Sequence, residues 1–266
     1  MIKAILSDFD GTLVSDKGTY HPQTKDLIKK LQKKGICFSI ATGRSSMARV
    51  GEIIKELEID GYHIFNGGAV IMDTKTGIRH WYQPISPSSA QKIIDYLKNN
   101  HIVFITEKPA RSYLSNKIEI PPFLKGTIVD PLDYLVDYTD IVKIVVLVSA
   151  NYLDATKVRD HIIALESLCA DLSYITYQYG EKSGFDLTSE KSTKHTAVLE
   201  YLKILGLKKE EVVGIGNDFN DYPLFTACGY TIAMPDSPKE LKEIANFIAP
   251  KGKNGMVSAL EKILSL

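Results

Sequence analysis

The sequence predicts an α/β protein: a parallel sheet flanked by helices, interrupted by one inserted α+β domain. Three observations predict it. Short apolar runs alternate with amphipathic helical stretches in the first third of the chain and again in the last. That alternation lapses between about residues 83 and 186. Two aspartates stand at the end of the first apolar run, where an open α/β sheet places its ligand crevice.

Residues 2–7 (IKAILS) read as a strand, and residues 22–34 as a helix with Leu27, Ile28 and Leu31 on one stripe. Lys25, Lys29, Lys30, Lys33 and Lys34 occupy its other faces and read as a solvated surface rather than a nucleic-acid patch. Gly35 ends this helix. A buried strand (36–41), a helix (46–58) and a third strand (62–65) follow, ending at Asn66-Gly67-Gly68. Repeated βα units imply parallel strands with right-handed crossovers. At Gln83-Pro84-Ile85-Ser86-Pro87 the pattern changes, with Ser86 placed to cap a helix and Pro87 to be its first residue. Next come a helix (87–99), strands (102–107, 111–115, 141–149), a helix (152–168) and strands (172–179, 183–188).

Nine of the 14 tyrosines fall in or beside this stretch: Tyr82, Tyr96, Tyr113, Tyr134, Tyr138, Tyr152, Tyr174, Tyr177 and Tyr179. They read as half-buried strand residues, the alternative being a layer lining a substrate pocket. The βα pattern then resumes with helix 193–205, strand 211–215, helix 219–227, strand 230–233, helix 238–244, strand 246–249 and helix 256–265. Ser237-Pro238-Lys239-Glu240 reads as a capping box. The chain thus divides into a discontinuous domain, 1–82 plus 187–266, and an inserted domain, 83–186.

Composition narrows the function. The 266 residues are 44% hydrophobic and 24% charged, the balance of a globular protein. Lys+Arg and Asp+Glu are 32 each, so no cationic surplus exists for coating nucleic acid. Cys37, Cys169 and Cys228 are far apart and form no CxxC pair, which argues against a disulfide framework or cysteine zinc site and for a reducing, cytoplasmic setting. The opening apolar run is broken by Asp8 and Asp10, unlike a signal peptide, and no segment approaches the roughly 20 apolar residues of a membrane span.

The chemistry concentrates in Ser7-Asp8-Phe9-Asp10-Gly11-Thr12-Leu13. Two carboxylates at a buried strand end are costly unless a cation compensates them. At i and i+2 they can point into the same crevice, and Gly11 permits a sharp turn around an ion. An Asx-turn with a solvated second aspartate is the plainer alternative. An EF-hand is excluded, because Thr12 and Leu13 stand where its loop needs an acid or amide and a glycine. Thr42 and Gly43 lie at a strand-to-helix turn, where a hydroxyl and free N–H groups can hold phosphate oxygens, although Thr42 could simply cap a helix. Lys194 falls in the first turn of a helix capped by Ser192, where a cation opposes the dipole. Breaking a local rule marks it as functional, and Lys191 is a weaker competitor. Arg44 could bind a substrate or anchor an acid of the core.

Gly214-Ile215-Gly216 has Phe219 at the third glycine position of a dinucleotide fingerprint, and no GxxxxGK[ST] occurs. The six histidines show no metal-ligand spacing.

These motifs resemble, in order, those of the haloacid dehalogenase superfamily. The first is Asp8-Phe9-Asp10-Gly11-Thr12-Leu13, and the second Ala41-Thr42-Gly43-Arg44. Asn66-Gly67-Gly68 is similar to the N-G-[AG] of its Cof-type branch. Ser192-Thr193-Lys194 resembles the third motif, and Gly216-Asn217-Asp218-Phe219-Asn220-Asp221 the fourth. The resemblance spans essentially the whole chain and implies a Rossmann-like core with an inserted type IIB α+β cap.

It further implies a Mg2+-dependent hydrolase of small phosphomonoesters such as sugar phosphates, with no nucleic-acid or membrane partner. Asp8 would be the nucleophile that forms an aspartyl-phosphate, and Asp10 the general acid and base. Thr42, Gly43, Arg44, Lys194 and Asn220 would serve phosphate or substrate binding. The metal set would come from Asp8, Asp10, Asn217, Asp218 and Asp221. The fourth motif departs from its usual G-D-x-x-N-D, since Asn217 replaces the first aspartate. Its carbonyl can still coordinate, Asp218 can restore the charge, and Asp221 can orient waters. A phosphomutase and a non-catalytic protein retaining the fold are the alternatives.

Overall fold

The computed structural model describes residues 1–15, 17–109, 111–115, 127–148, 152–165, 177–179, 182–251 and 254–266. Five parallel strands carry its functional edge: β1 (Ala4–Ser7), β2 (Cys37–Ile40), β12 (Val212–Gly216), β13 (Tyr230–Ala233) and β14 (Phe247–Ile248). Their order is β14-β13-β12-β1-β2, so β1 lies between β12 and β2. The four residues of β1 are all buried, as expected of a parallel strand covered on both faces. Their period-two alternation is visible in the packing: Ile5 enters one apolar cluster, while Ala4 and Leu6 enter the cluster on the opposite face.

Helix α1 (Pro22–Lys33) buries Leu27, Ile28 and Leu31 in the first cluster and packs beside α8 (Gly255–Leu264). The second cluster takes Ala197, Val198 and Tyr201 of α5 (Lys194–Leu205) and Leu224 and Phe225 of α6 (Tyr222–Ala227).

A bridge from Ala41 to Ile64 continues the sheet to β3 (Tyr62–Phe65). There the chain turns back in an antiparallel meander with β4 (Val70–Asp73) and β5 (Ile78–Tyr82). The sequence reading missed β4 and β5. They are short, and β5 is largely exposed, so neither shows a clear alternation.

The inserted stretch builds a second, six-stranded sheet, ordered β10-β11-β9-β6-β7-β8. Its strands are β6 (Val103–Lys108), β7 (Arg111–Leu114), β8 (Val129–Pro131), β9 (Lys143–Val148), β10 (Tyr177–Tyr179) and β11 (Lys182–Leu187). Helices α3 (Pro87–Asn99) and α4 (Tyr152–Leu165) contribute Ile93, Leu97 and Ile162 to a core with Phe104, Ile144, Val146 and Phe185, which covers one face of this sheet. Ser86 caps α3 and Pro87 opens it, as the sequence predicts. Of the tyrosines whose side chains are described, Tyr113 is buried and Tyr134 is exposed. Residues 166–168 of the expected helix, residues 172–176 of the expected strand, Cys169 and Tyr174 lie outside the described residues.

Three local expectations are corrected. The N-cap of α5 is Thr193, whose Oγ1 accepts from Thr196 N in a capping box, while Ser192 Oγ donates to the Gln83 carbonyl. Adjacent hydroxyls offer the same local signal, and tertiary contact decides between them. Ser237 caps nothing: Pro238 is extended, and the short helix α7 (Lys239–Glu243) starts after it. The expected helix 219–227 begins as a 3₁₀ turn, Phe219–Asp221, because Asp218 Oδ1 accepts from Phe219 N. Among the described residues no helix is long and apolar enough to cross a membrane, and Cys37 and Cys228 are free thiols.

Candidate active site

The site assembles at the carboxyl ends of β1, β2 and β12. Asp8 is the first residue past β1, and its N–H donates to the Ile215 carbonyl at 2.8 Å, which ties it to β12. Its side chain is buried, with 5% of the residue exposed. Lys194, the first residue of α5, reaches Asp8 Oδ1 at 2.7 Å and Asp221 Oδ1 at 2.6 Å. The lysine that opposes the helix dipole is thus held by two carboxylates.

Two glycines make this approach possible. A Cβ on Gly68 would lie 2.3 Å from the Thr193 carbonyl oxygen, so the Asn66-Gly67-Gly68 turn seats the start of α5. A Cβ on Gly216 would lie 2.6 Å from the Asp221 carboxylate. Asp221 is therefore tucked under the end of β12, with Oδ2 accepting from Asn217 N (2.9 Å) and Asp218 N (3.2 Å).

Burial, and then the neighbouring Asp221 carboxylate, push the Asp8 carboxyl up to about 7 against the pull of Lys194. Burial disfavours the Lys194 ammonium, but Asp221 and Asp8 outweigh it and keep it charged. Two buried carboxylates share one ammonium, which leaves an excess negative charge. No donor among the described residues reaches the second oxygen of Asp8.

Asn217 packs against Gly11 and Thr12. Its Oδ1 accepts from Thr12 Oγ1 at 2.9 Å, and its amide nitrogen would be 2.5 Å from a Cβ on Gly11, whose φ is +72°. Among the described residues no three His, Cys, Asp or Glu side chains converge as a cage. The excess charge and the all-oxygen donors, with Asn217 supplying a neutral one, nevertheless fit a hard divalent cation.

Asp10 is held by Arg44, whose Nε and a terminal nitrogen each reach it at 2.7 Å, a bidentate pair on a half-exposed carboxylate. Of the two readings of Arg44, the geometry shows the acid anchor. Asp218 is exposed, its Oδ1 engaged with Phe219 N. Asn220 Oδ1 is buried with no hydrogen-bond partner among the described residues, a donor-seeking oxygen one residue from Asp221. Thr42 is buried, and its Oγ1 accepts from Arg44 N at 3.1 Å rather than capping helix α2 (Ala48–Leu57). A cavity of about 340 Å³ opens on the Gly11, Thr12 and Asn217 side, and neither Asp8 nor Lys194 lines it.

The sequence reading missed a second charged group. Lys143 of β9 is buried, with 3% exposed, between Glu107 of β6 and Asp186 of β11, and its Nζ donates to the Gly43 carbonyl at 2.9 Å. Asn66 Nδ2 donates to Glu107 Oε2 at 3.1 Å. The available signal was a lone lysine at the head of the apolar run Lys143–Val148.

A buried carboxylate at the end of β1, a buried lysine and a hydroxyl turn, all under an inserted α+β sheet, define a protein of the doubly wound α/β class with its ligand site at the strand ends. Its family follows from comparison: residues 5–260 match the model of the haloacid dehalogenase-like hydrolases, and the chain belongs to that family. It is similar to a phosphoglycolate phosphatase of Sulfolobus acidocaldarius, 26% identical over 273 aligned residues that cover 100% of this chain and 98% of that protein. It is also similar to the phosphatase YwpJ of Bacillus subtilis, 23% identical over 289 aligned residues covering 99% and 100%.

A haloacid dehalogenase-like hydrolase from Bacteroides thetaiotaomicron superposes with a TM-score of 0.83 at 21% identity, covering 99% of this chain and 100% of that one. A subclass IIB sugar phosphatase of the same superfamily gives 0.80 at 16%, covering 99% and 100%. The α/β core with a parallel sheet and the inserted cap thus match the Cof-type, subclass IIB architecture.

Proposed function

We propose that this chain hydrolyses small phosphomonoesters, such as sugar phosphates, through a phosphoryl group carried on Asp8. The Asp8–Lys194–Asp221 cluster at the end of β1 carries this reading. Family membership and the named phosphatase relatives support phosphoric monoester hydrolysis. Nothing in the charge balance favours a nucleic-acid partner, the substrate being a small molecule. The reading also divides the chain into a core of residues 1–82 and 187–266 and a cap of residues 83–186, and places the protein in the cytoplasm.

The free oxygen of Asp8 attacks phosphorus, and the bond to the leaving oxygen breaks. Lys194, the Thr42 hydroxyl and the Gly43 N–H face the charge on the transferring oxygens, with Asn220 and Arg44 beside them. Asp10, oriented by Arg44, protonates the leaving alkoxide and then deprotonates the water that releases phosphate from Asp8. Asp8 and Asn217 would hold Mg2+, with Asp10 and Asp218 as further oxygen donors and Asp221 fixing the Asn217–Asp218 main chain. When bound, that ion supplies neutralisation of the phosphoryl oxygens and keeps Asp8 ionised.

The test is phosphate release from p-nitrophenyl phosphate with Mg2+ or with chelator. The wild-type chain should release phosphate only with Mg2+, and Asp8→Asn should lose at least about 10⁴-fold in kcat with its fold intact. A near-wild-type rate in Asp8→Asn would overturn the assignment.

A further inference from the structure

The turn Thr42-Gly43-Arg44 is held by three carbonyls. Gly67 N donates to the Thr42 carbonyl at 3.0 Å, and Asn66 N donates to the Arg44 carbonyl at 2.8 Å. The middle carbonyl, that of Gly43, is taken by Lys143, which stands on a cap strand 100 residues further along the chain. In a trans peptide the N–H lies opposite the C=O. Fixing the Gly43 carbonyl therefore fixes the Arg44 N–H, which donates to Thr42 Oγ1 at 3.1 Å. An oxygen that accepts there turns its own O–H outward as a donor. The Gly43 N–H has no acceptor among the described residues. One of the two donors offered to a phosphate, the Thr42 hydroxyl, is thus set by a side chain of the cap, while the Gly43 N–H, in the preceding peptide, is set by the Gly67 bond to the Thr42 carbonyl.

The lysine itself is saturated. Its three N–H groups are matched by Gly43 O at 2.9 Å, Asp186 Oδ2 at 3.3 Å and Glu107 Oε1 at 3.5 Å. It has no donor left for a substrate. Register places the three charges on one face of the cap sheet: Glu107 pairs directly with Lys143, and Asp186 pairs with Val145, two residues along β9. That face is opposite the one covered by α3 and α4, since Phe104, Ile144 and Val146 enter the helix-covered core. A buried ion network of this kind is weak evidence for stability, because well-packed neutral residues do as well. Its retention calls for another role.

We infer that Lys143 is a positioning residue for phosphate: by holding the Gly43 carbonyl it sets, through the Arg44 N–H, the Thr42 hydroxyl, and so couples the seating of the cap to phosphate affinity. The inference rests on the phosphate-site reading above. Asn66 supports it, since its backbone, at φ +51°, serves the Arg44 carbonyl while its side chain bonds Glu107 of the cap.

The test measures inorganic phosphate as an inhibitor of p-nitrophenyl phosphate hydrolysis, with KM and kcat, in the full chain with Mg2+. Lys143→Met strands two buried carboxylates and can fail to fold. The triple variant Lys143→Met, Glu107→Gln, Asp186→Asn removes all three charges together and preserves side-chain volume. In both folded variants the inhibition constant for phosphate and KM should rise about tenfold, the size of one charge-assisted hydrogen bond, with a smaller change in kcat. A merely structural role would lower the melting temperature and leave the inhibition constant alone. A folded variant whose constant stays within about twofold of wild type would overturn the role of Lys143. A wild-type chain that phosphate does not inhibit would instead overturn the phosphate-site reading, and the inference with it.

Discussion

Two buried clusters in this molecule share one charge stoichiometry: two carboxylates around one lysine. At the end of β1 these are Asp8, Asp221 and Lys194, and in the cap they are Glu107, Asp186 and Lys143. Burial pushes the Asp8 carboxyl up, to about 7, and pushes Glu107 up as well. The clusters differ in what remains unfilled. The cap lysine spends its three protons on the Gly43 carbonyl, Asp186 and Glu107, and Glu107 receives the Asn66 amide. In the core, Lys194 spends two protons, on Asp8 and Asp221, and no donor among the described residues reaches the second oxygen of Asp8. The lysine is thus committed to three protein acceptors in one place and to two in the other, where its remaining N–H is left for a phosphate oxygen.

The strongest way to break this comparison is Lys194→Met. Removing the shared ammonium strands Asp8 and Asp221 and should cost about 3–5 kcal/mol in metal-free protein, read by denaturant unfolding, with turnover abolished. Adding Asp221→Asn should recover most of that stability and none of the activity. A double variant as unstable as the single one would show that charge excess is not what strains the site.

A smaller effect sharpens the contrast with a buried ionisable group whose hydrogen bonds are to main-chain atoms alone. His63 is fully buried, its Nδ1 accepting from Ile40 N and its Nε2 donating to the Ile59 carbonyl, both at 2.9 Å. Burial pushes the imidazole down to about 4. On acidification the unfolded chain binds this proton first, near pH 6.5, so the stability His63 confers is lost as pH falls from there towards 4. Relative to His63→Gln, the wild-type chain should lose about 2 kcal/mol between pH 7 and pH 5. Denaturation midpoints at the two pH values check this, and parallel slopes in the two proteins would contradict it.

Much of the core site was legible because its signals are local. Asp8 and Asp10 follow a buried strand, Thr42 ends the next, and Lys194 violates the dipole rule at a helix start. What escaped depends on contacts distant in sequence. Asp221 becomes the partner of Lys194 only because Gly216 leaves room for it. Glu107, Lys143 and Asp186 sit on three strands brought side by side by antiparallel pairing, and no short-range pattern announces that they meet. Thr193 and Ser192 are equal candidates for a cap until the Gln83 carbonyl claims one of them. The β4–β5 hairpin escaped because its outer strand is mostly exposed and so carries no buried alternation.

The central claim is that Asp8 carries the phosphoryl group, and the Asp10→Asn variant tests it most directly. p-Nitrophenolate leaves without a proton donor, so loss of Asp10 should spare the first step and stall the water attack. Mixing that variant with p-nitrophenyl phosphate and Mg2+ should give a burst of one p-nitrophenolate per enzyme. Mass spectrometry of the acid-quenched protein should find one phosphoryl group on the peptide containing Asp8. A burst-free reaction with no phosphoryl group on that peptide, or a phosphoryl group on another residue, would contradict the account.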